Sequence, residues 1–189
     1  MKHNIVIRYG NLLLRQLKRE DIEKLRQWRN RTEQTKFLRN VGYISEERQK
    51  AWFNNYLENS NEACFAIEEV NEINDLIGSV SIYDFYDDYA DFGKIMIGDE
   101  RAHGKGYGRI AMVMALKAAF EIFKIKKIVA EVHQENVTAR TNDLRIGFSI
   151  IGKKESSVGG FEDIIEIDKE RCSKTNDYYD KILLEGNIE

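Results

Sequence analysis

Arg101-Ala102-His103-Gly104-Lys105-Gly106-Tyr107-Gly108 stands between two apolar runs of different period. Before it, Phe92 to Gly98 reads as a strand with Ile95, Met96 and Ile97 at its centre. After it, Val113, Leu116, Phe120 and Phe123 recur at helical spacing in a helix that starts near Tyr107. Glycine takes up left-handed torsions and lets a ligand come close to the backbone. A glycine-rich turn that opens a helix therefore offers unbonded N–H groups, and the positive end of the helix dipole, to an anion. Arg101 and Lys105 add positive charge at the same place. The octapeptide reads as a phosphate cradle, and it fixes a strand–loop–helix unit in the middle of the chain.

Two common phosphate motifs do not fit it. A Walker loop ends in Gly-Lys-Ser/Thr, whereas Gly108 is followed by Arg109. A dinucleotide fingerprint spaces its glycines differently and follows a first strand, whereas these glycines fall at 104, 106 and 108, deep in the chain.

With 189 residues, 42% hydrophobic and 32% charged, the chain has the composition of a single globular domain. A net charge of −3 and a pI near 5.8 argue against nucleic acid as a partner. Cys64 and Cys172 are too few for a disulfide framework, and Cys64 sits in an apolar run as a buried thiol would. No apolar stretch approaches the roughly 18 residues of a membrane span, and no signal-peptide core opens the sequence. These features give a cytoplasmic protein without a membrane partner as the expectation. No metal-ligand spacing is present.

Outward from the cradle, alternation and turn residues set the remaining elements. Ile5 to Arg8 and Leu12 to Leu17 flank Tyr9-Gly10-Asn11 as a hairpin. Ile22, Leu25 and Trp28 mark a helix ending near Asn30, and residues 31 to 44 read as irregular. Ser45 caps a second helix carrying Trp52, Phe53, Tyr56 and Leu57. Strands follow at 63–68, 76–83 and 90–98, with an acidic, aromatic loop over residues 84 to 89. Beyond the central helix come a strand at 126–133, a short helix at 136–146 and strands at 148–153 and 161–168. Residues 1–169 form one expected domain, and 170–189 a tail or a docked helix.

The spacing Arg-x-x-Gly-x-Gly-x-Gly resembles the pyrophosphate loop of the GNAT acetyltransferases, and three other features agree. Asn136 with Ala139, Gly147 and Phe148 is similar to the family's Asn-x-x-Ala followed by Gly-Phe. Leu14-Arg15, Asp21 and Trp28-Arg29-Asn30 are similar to its opening. Gly160-Phe161-Glu162-Asp163 is similar to the entry to the last strand in the ribosomal-protein branch. The resemblance implies an α+β acetyltransferase fold, a mostly antiparallel, twisted and splayed sheet of about seven strands with helices on both faces. It implies acetyl-CoA as acyl donor. Backbone groups of Ile95, Met96 and Ile97 would meet the pantetheine, and the loop from Arg101 through His103, Gly104, Lys105, Gly106, Tyr107, Gly108 and Arg109 would hold the pyrophosphate. Asn136 would reach the pantetheine from the far side.

Transfer to an amine requires a neutral amine, and hence a group to take its proton. The resemblance places that base at Glu131, with His133, two residues on and on the same strand face, as the alternative. Many family members carry a tyrosine seven residues after the helix-opening asparagine, where it protonates the departing thiolate. Asp143 stands there in this chain, and a charged aspartate would repel a thiolate. The acceptor is expected over the early helices and nearby loops, at Trp28, Arg29, Asn30, Tyr43, Trp52, Phe85, Tyr86 and Tyr89. The resemblance extends to acetyltransferases of amino-sugar nucleotides and of protein N-termini, so a small amine or a protein N-terminus is the expected acceptor. A homodimer is compatible with it. The alternative reading is a weakly active coenzyme-A-binding sensor, favoured by Asp143.

Overall fold

Gly10, at φ +54°, reverses the chain between β1 (Val6–Tyr9) and β2 (Leu12–Gln16), which pair antiparallel with Ile7 opposite Leu14. The computed structural model describes residues 1–31, 36–37 and 41–188. Half of the segment expected to be irregular, 31–44, lies outside the described residues.

Helix α1 (Ile22–Arg29) is tied to the sheet by charge. The Arg15 guanidinium on β2 donates to Asp21 at 2.7 and 2.9 Å and to Glu68 at 2.9 Å. Asp21, only 4% exposed, also accepts the Lys18 N–H at 2.7 Å. Helix α2 (Glu46–Glu58) begins at the expected cap, where Ser45 Oγ accepts the Arg48 N–H at 3.2 Å. Then come β3 (Glu62–Glu69), β4 (Asp75–Tyr83), β5 (Tyr89–Ile97), α3 (Tyr107–Glu121), β6 (Lys127–His133), α4 (Val137–Ile146), β7 (Ser149–Glu155), β8 (Phe161–Asp168), α5 (Lys169–Thr175) and β9 (Leu183–Glu185).

The strands form one sheet in the order β7-β8-β6-β5-β4-β3-β2-β1-β9. Every neighbouring pair is antiparallel except β5 and β6. The fold class is the expected one, but the described residues hold nine strands rather than about seven. Both hairpin strands join the sheet, and β9 adds to β1 with Leu184 opposite Ile7. A three-residue strand is too short to leave a readable alternation, which is why the sequence did not reveal it.

Helices α1 and α2 cover one face over Leu17, Cys64, Ala66 and Leu76. Helix α3 fills the other, buried on nearly all sides through Ala111, Val113, Met114, Leu116 and Phe120. Cys172, Tyr179 and Ile182 dock into that second core, and Asn176 Nδ2 donates to the carbonyls of Ile146 (2.9 Å) and Cys172 (2.8 Å).

Two irregularities position the site. Strands β5 and β6 pair only over Tyr89–Asp91 and Lys127–Val129 and separate beyond, forming a V. On the other edge of β5, the register to β4 shifts between Ser79 and Ser81, with Lys94 in left-handed backbone at φ +50°. That is a β-bulge, which bends the strand and re-aims its side chains.

Candidate active site

The mouth of the V is the glycine loop. Gly104 (φ +74°) and Gly106 (φ +77°) occupy left-handed backbone, and Gly106 is the N-cap of α3. The first helical turn leaves the N–H groups of Tyr107, Gly108 and Arg109 without intrahelical carbonyls. A cavity of about 510 Å³ opens over them, walled by Ile97, His103 and Arg109 on one side and by Thr138, Asn142 and Arg145 of α4 on the other. The expected cradle residues His103, Gly104, Gly106, Tyr107, Gly108 and Arg109 all line it.

The two cations expected to assist, Arg101 and Lys105, do not line the cavity. Arg101 is held by Asp99 at 2.6 Å and by Asp75 at 3.4 Å, and Lys105 by Glu72 at 2.7 Å. Nor does the His103 ring turn to the cavity's centre as a free group, because its Nε2 lies 2.9 Å from the Ile97 carbonyl oxygen.

Inside the V, Ile95 and Ile97 pack toward α3 and Met96 toward the α1/α2 side, so their side chains are core. Among the described residues their β6-facing backbone edge has no strand partner, because β6 has already diverged. Asn136 caps α4 through Oδ1, which accepts the Ala139 N–H at 3.2 Å. Its Nδ2 remains available as a donor.

At the closed end of the V, register puts one row of side chains on the α1/α2 face. Glu62 is opposite Tyr83, Tyr83 opposite Asp91, and Asp91 opposite Val129, with Glu131 two residues further on. Glu62 is buried and holds Lys94 at 2.8 Å, and the Lys94 ammonium lies 4.2 Å from the centre of the Tyr83 ring. Glu131 is half-exposed and paired with Lys154 at 2.5 Å. Asp91 has no ion-pair partner among the described residues. Burial raises its pKa above the usual aspartate value, and the neighbouring Asp84 and Glu131 raise it further. The sequence reading missed Asp91, since an aspartate in an alternating strand looks like any solvated polar residue.

The remaining candidates fall into three groups. His133 accepts the Glu135 N–H on Nδ1 (3.2 Å), so Nε2 carries the hydrogen and donates to the Gly159 carbonyl (2.7 Å). With both nitrogens engaged and its ring stacked on Phe37, it braces the β7–β8 turn. Trp28 is buried directly over Gly98, while the Asn30 side chain clamps the backbone of Ile44 at 2.9 and 3.0 Å. Arg29 next to them is partly buried, which lowers its pKa. Phe85, Tyr86 and Tyr89 lie at the opposite end of β5 from the cradle, about 25 Å along the strand. There Phe85 packs on Phe123, and Tyr86 stacks on Tyr89 with ring centres 4.3 Å apart. Tyr89 thus opens β5 at the closed end of the V, opposite Lys127, with Phe85 and Tyr86 just before it.

Asp143 corrects the sequence expectation. It is 7% exposed, and burial alone raises its pKa from 3.8 to about 7, so its neutral form is populated at neutral pH. The nearby Arg140 on the same helix turns instead to Asp163, to which its Nε donates at 2.7 Å.

A β5–β6 V, a bulge on β5 and a left-handed glycine loop capping α3 together define an acyl-CoA-dependent transferase fold. Residues 11–149 match the model of the acetyltransferase (GNAT) domain family, so the chain belongs to that family. It is an N-acetyltransferase, with acetyl-CoA as acyl donor. The open cavity over the α3 N-terminus suits the donor's phosphates. Among solved structures, the chain is similar to spermidine N-acetyltransferase from Vibrio cholerae in complex with CoA and spermine. The TM-score is 0.78 at 24% identity, over 87% of this chain and 99% of that one. It is also similar to a GNAT-family acetyltransferase from Bacillus anthracis, at TM-score 0.74 and 20% identity over 87% and 99%. At these identities the likeness shows the fold. No curated protein matches the sequence. Among the described residues, no helix is long and apolar enough to cross a membrane.

Proposed function

We propose that this chain acetylates a small polycationic amine of the di- or polyamine class, with Asp91 and Glu131 receiving the proton of the attacking ammonium. The observation that carries this reading is the row of carboxylates, Glu62, Asp91 and Glu131, around Tyr83 at the closed end of the V. Acidic side chains beside a low-dielectric wall raise the local concentration of cations. They also repel an anionic sugar nucleotide, which disfavours that expected acceptor, and a single protein N-terminus uses less of the row than a polyamine does. The spermidine N-acetyltransferase of Vibrio cholerae, with the same fold, is consistent with the amine class.

The chemistry follows from the same groups. An ammonium cannot attack a thioester, so its proton must pass to a carboxylate before the C–N bond forms. Asp91, made more basic by burial and by its acidic neighbours, is the stronger acceptor, and Glu131, held by Lys154, stands beside it as the second carboxylate. The sulfur of the departing thiolate then needs a proton. Asp143 occupies the position of the family's tyrosine and supplies a carboxyl that is partly neutral at pH 7. The chain works as one domain, with 170–189 docked on it, in the cytoplasm.

Steady-state kinetics on a triamine and on a monoamine of equal length test the proposal. Asp91→Asn and Glu131→Gln should each lower kcat/KM for the triamine by about 10²-fold while the KM for acetyl-CoA stays within about twofold. Equal activity of both variants toward the triamine would refute the assignment.

A further inference from the structure

We infer that the donor's phosphates are read by Arg109 and Arg145, and that Arg145 in particular binds the 3′-phosphomonoester of coenzyme A, while Arg101 and Lys105 only brace the loop. This rests on acetyl-CoA as donor and is independent of the acceptor's identity. Of the four basic residues around the mouth, Arg109 and Arg145 line the cavity and Arg101 and Lys105 do not. Neither lining arginine has an ion-pair partner among the described residues. The other two are spent on acids: Arg101 on Asp99 and Asp75, Lys105 on Glu72. Those pairs stitch the loop to the β3–β4 turn and set three acids against the two cations on that wall. An incoming polyanion therefore meets its net positive field on the α4 side.

The two anionic parts of coenzyme A make different demands. Its pyrophosphate has one charge per phosphorus and finds the N–H groups and dipole of the α3 N-terminus, with Arg109 in the first turn. Its 3′-phosphate is a monoester with close to two charges at neutral pH and three terminal oxygens. With the α3 N-terminus taken by the pyrophosphate, a side chain with a planar fork of donors suits it. Thr138, Asn142 and Arg145 fall on one face of α4, and Arg145 ends that face in the last turn, where the helix dipole also favours a cation.

Calorimetric binding of coenzyme A and of 3′-dephospho-coenzyme A separates the roles without any acceptor or turnover. Arg145→Ala should weaken coenzyme A about tenfold or more and leave the dephospho form within about twofold, with Arg145→Lys recovering part of the loss. Arg109→Ala should weaken both ligands alike, and Lys105→Ala and Arg101→Ala neither by more than about twofold. The inference is overturned if Arg145→Ala, folded by circular dichroism, changes neither ligand or both equally. It is also overturned if Lys105→Ala or Arg101→Ala erases the preference for coenzyme A.

Discussion

Asp143 carries a linkage that can be measured apart from catalysis. Its carboxyl binds a proton more tightly in the folded chain, near pH 7, than in the unfolded chain, near 3.8. Below the lower value both states are protonated and the group is neutral to stability. As pH rises from there through about 7, the folded state must give up the proton against its burial, so stability falls, by a total on the order of 4 kcal/mol. Asp143→Asn removes that fall. The variant should gain melting temperature over the parent at pH 8 and little at pH 4, and a gain that is the same at both pH values would contradict the burial argument. Asp91 sets the second expectation at this scale. As a base with a raised pKa it should place the acid limb of the kcat/KM profile above the ordinary carboxylate range, and Asp91→Asn should abolish or shift that limb. At the scale of residues the sequence was only partly legible. Glycine spacing marks the cradle because left-handed backbone restricts the residue type. The engagement of Arg101 by Asp75 and of Lys105 by Glu72 depends on residues 26 and 33 positions away and could not be seen.

Among the elements, the bulged β5 depends on close approaches that leave no room for a side chain. A Cβ at Gly98 would stand 2.0 Å from the Trp28 ring, and one at Gly78 would stand 2.1 Å from the Met96 carbonyl oxygen. Trp28 must therefore move, or β5 must, before either position accepts alanine. Gly98→Ala should lower stability by about 2–3 kcal/mol or more in urea unfolding and loosen α1 from the sheet. An unchanged midpoint would mean that α1 is not seated as described. Asp21→Ala leaves Arg15 facing Glu68 alone in a largely buried place, and should lower stability by about 3 kcal/mol. Here the sequence reading succeeded for a physical reason. Trp28 belongs to a run of apolar residues at helical spacing, so its helix could be placed to within a residue or two. The contacts of Trp28 with Gly98 and of Asn30 with Ile44 were not legible, because helical spacing says which way a residue faces and not what covers it.

For the molecule as a whole, the C-terminal segment is part of the folding unit, since Tyr179 and Ile182 are both 2% exposed in the core around α3. Tyr179→Ala should lower stability by about 3–5 kcal/mol in a single cooperative transition; a separate early transition would show an appended tail instead. The order of elements and the family resemblance made the architecture legible from the strand–cradle–helix unit outward. The acidic row stayed hidden because its members, Glu62, Asp91 and Glu131, come from three strands that only the register aligns. That row and the cradle, at the two ends of one V, are the basis for a donor entering from the glycine loop and a polycation waiting at the closed end. The most direct measurement is mass-spectrometric detection of acetylated product from acetyl-CoA presented with a triamine, a monoamine of equal length and an amino-sugar nucleotide in one mixture. The triamine should be acetylated first, with the monoamine trailing by about tenfold or more and the sugar nucleotide unchanged. Acetylation of the sugar nucleotide ahead of the triamine, or release of thiol with no acetylated amine, would contradict the polyamine assignment.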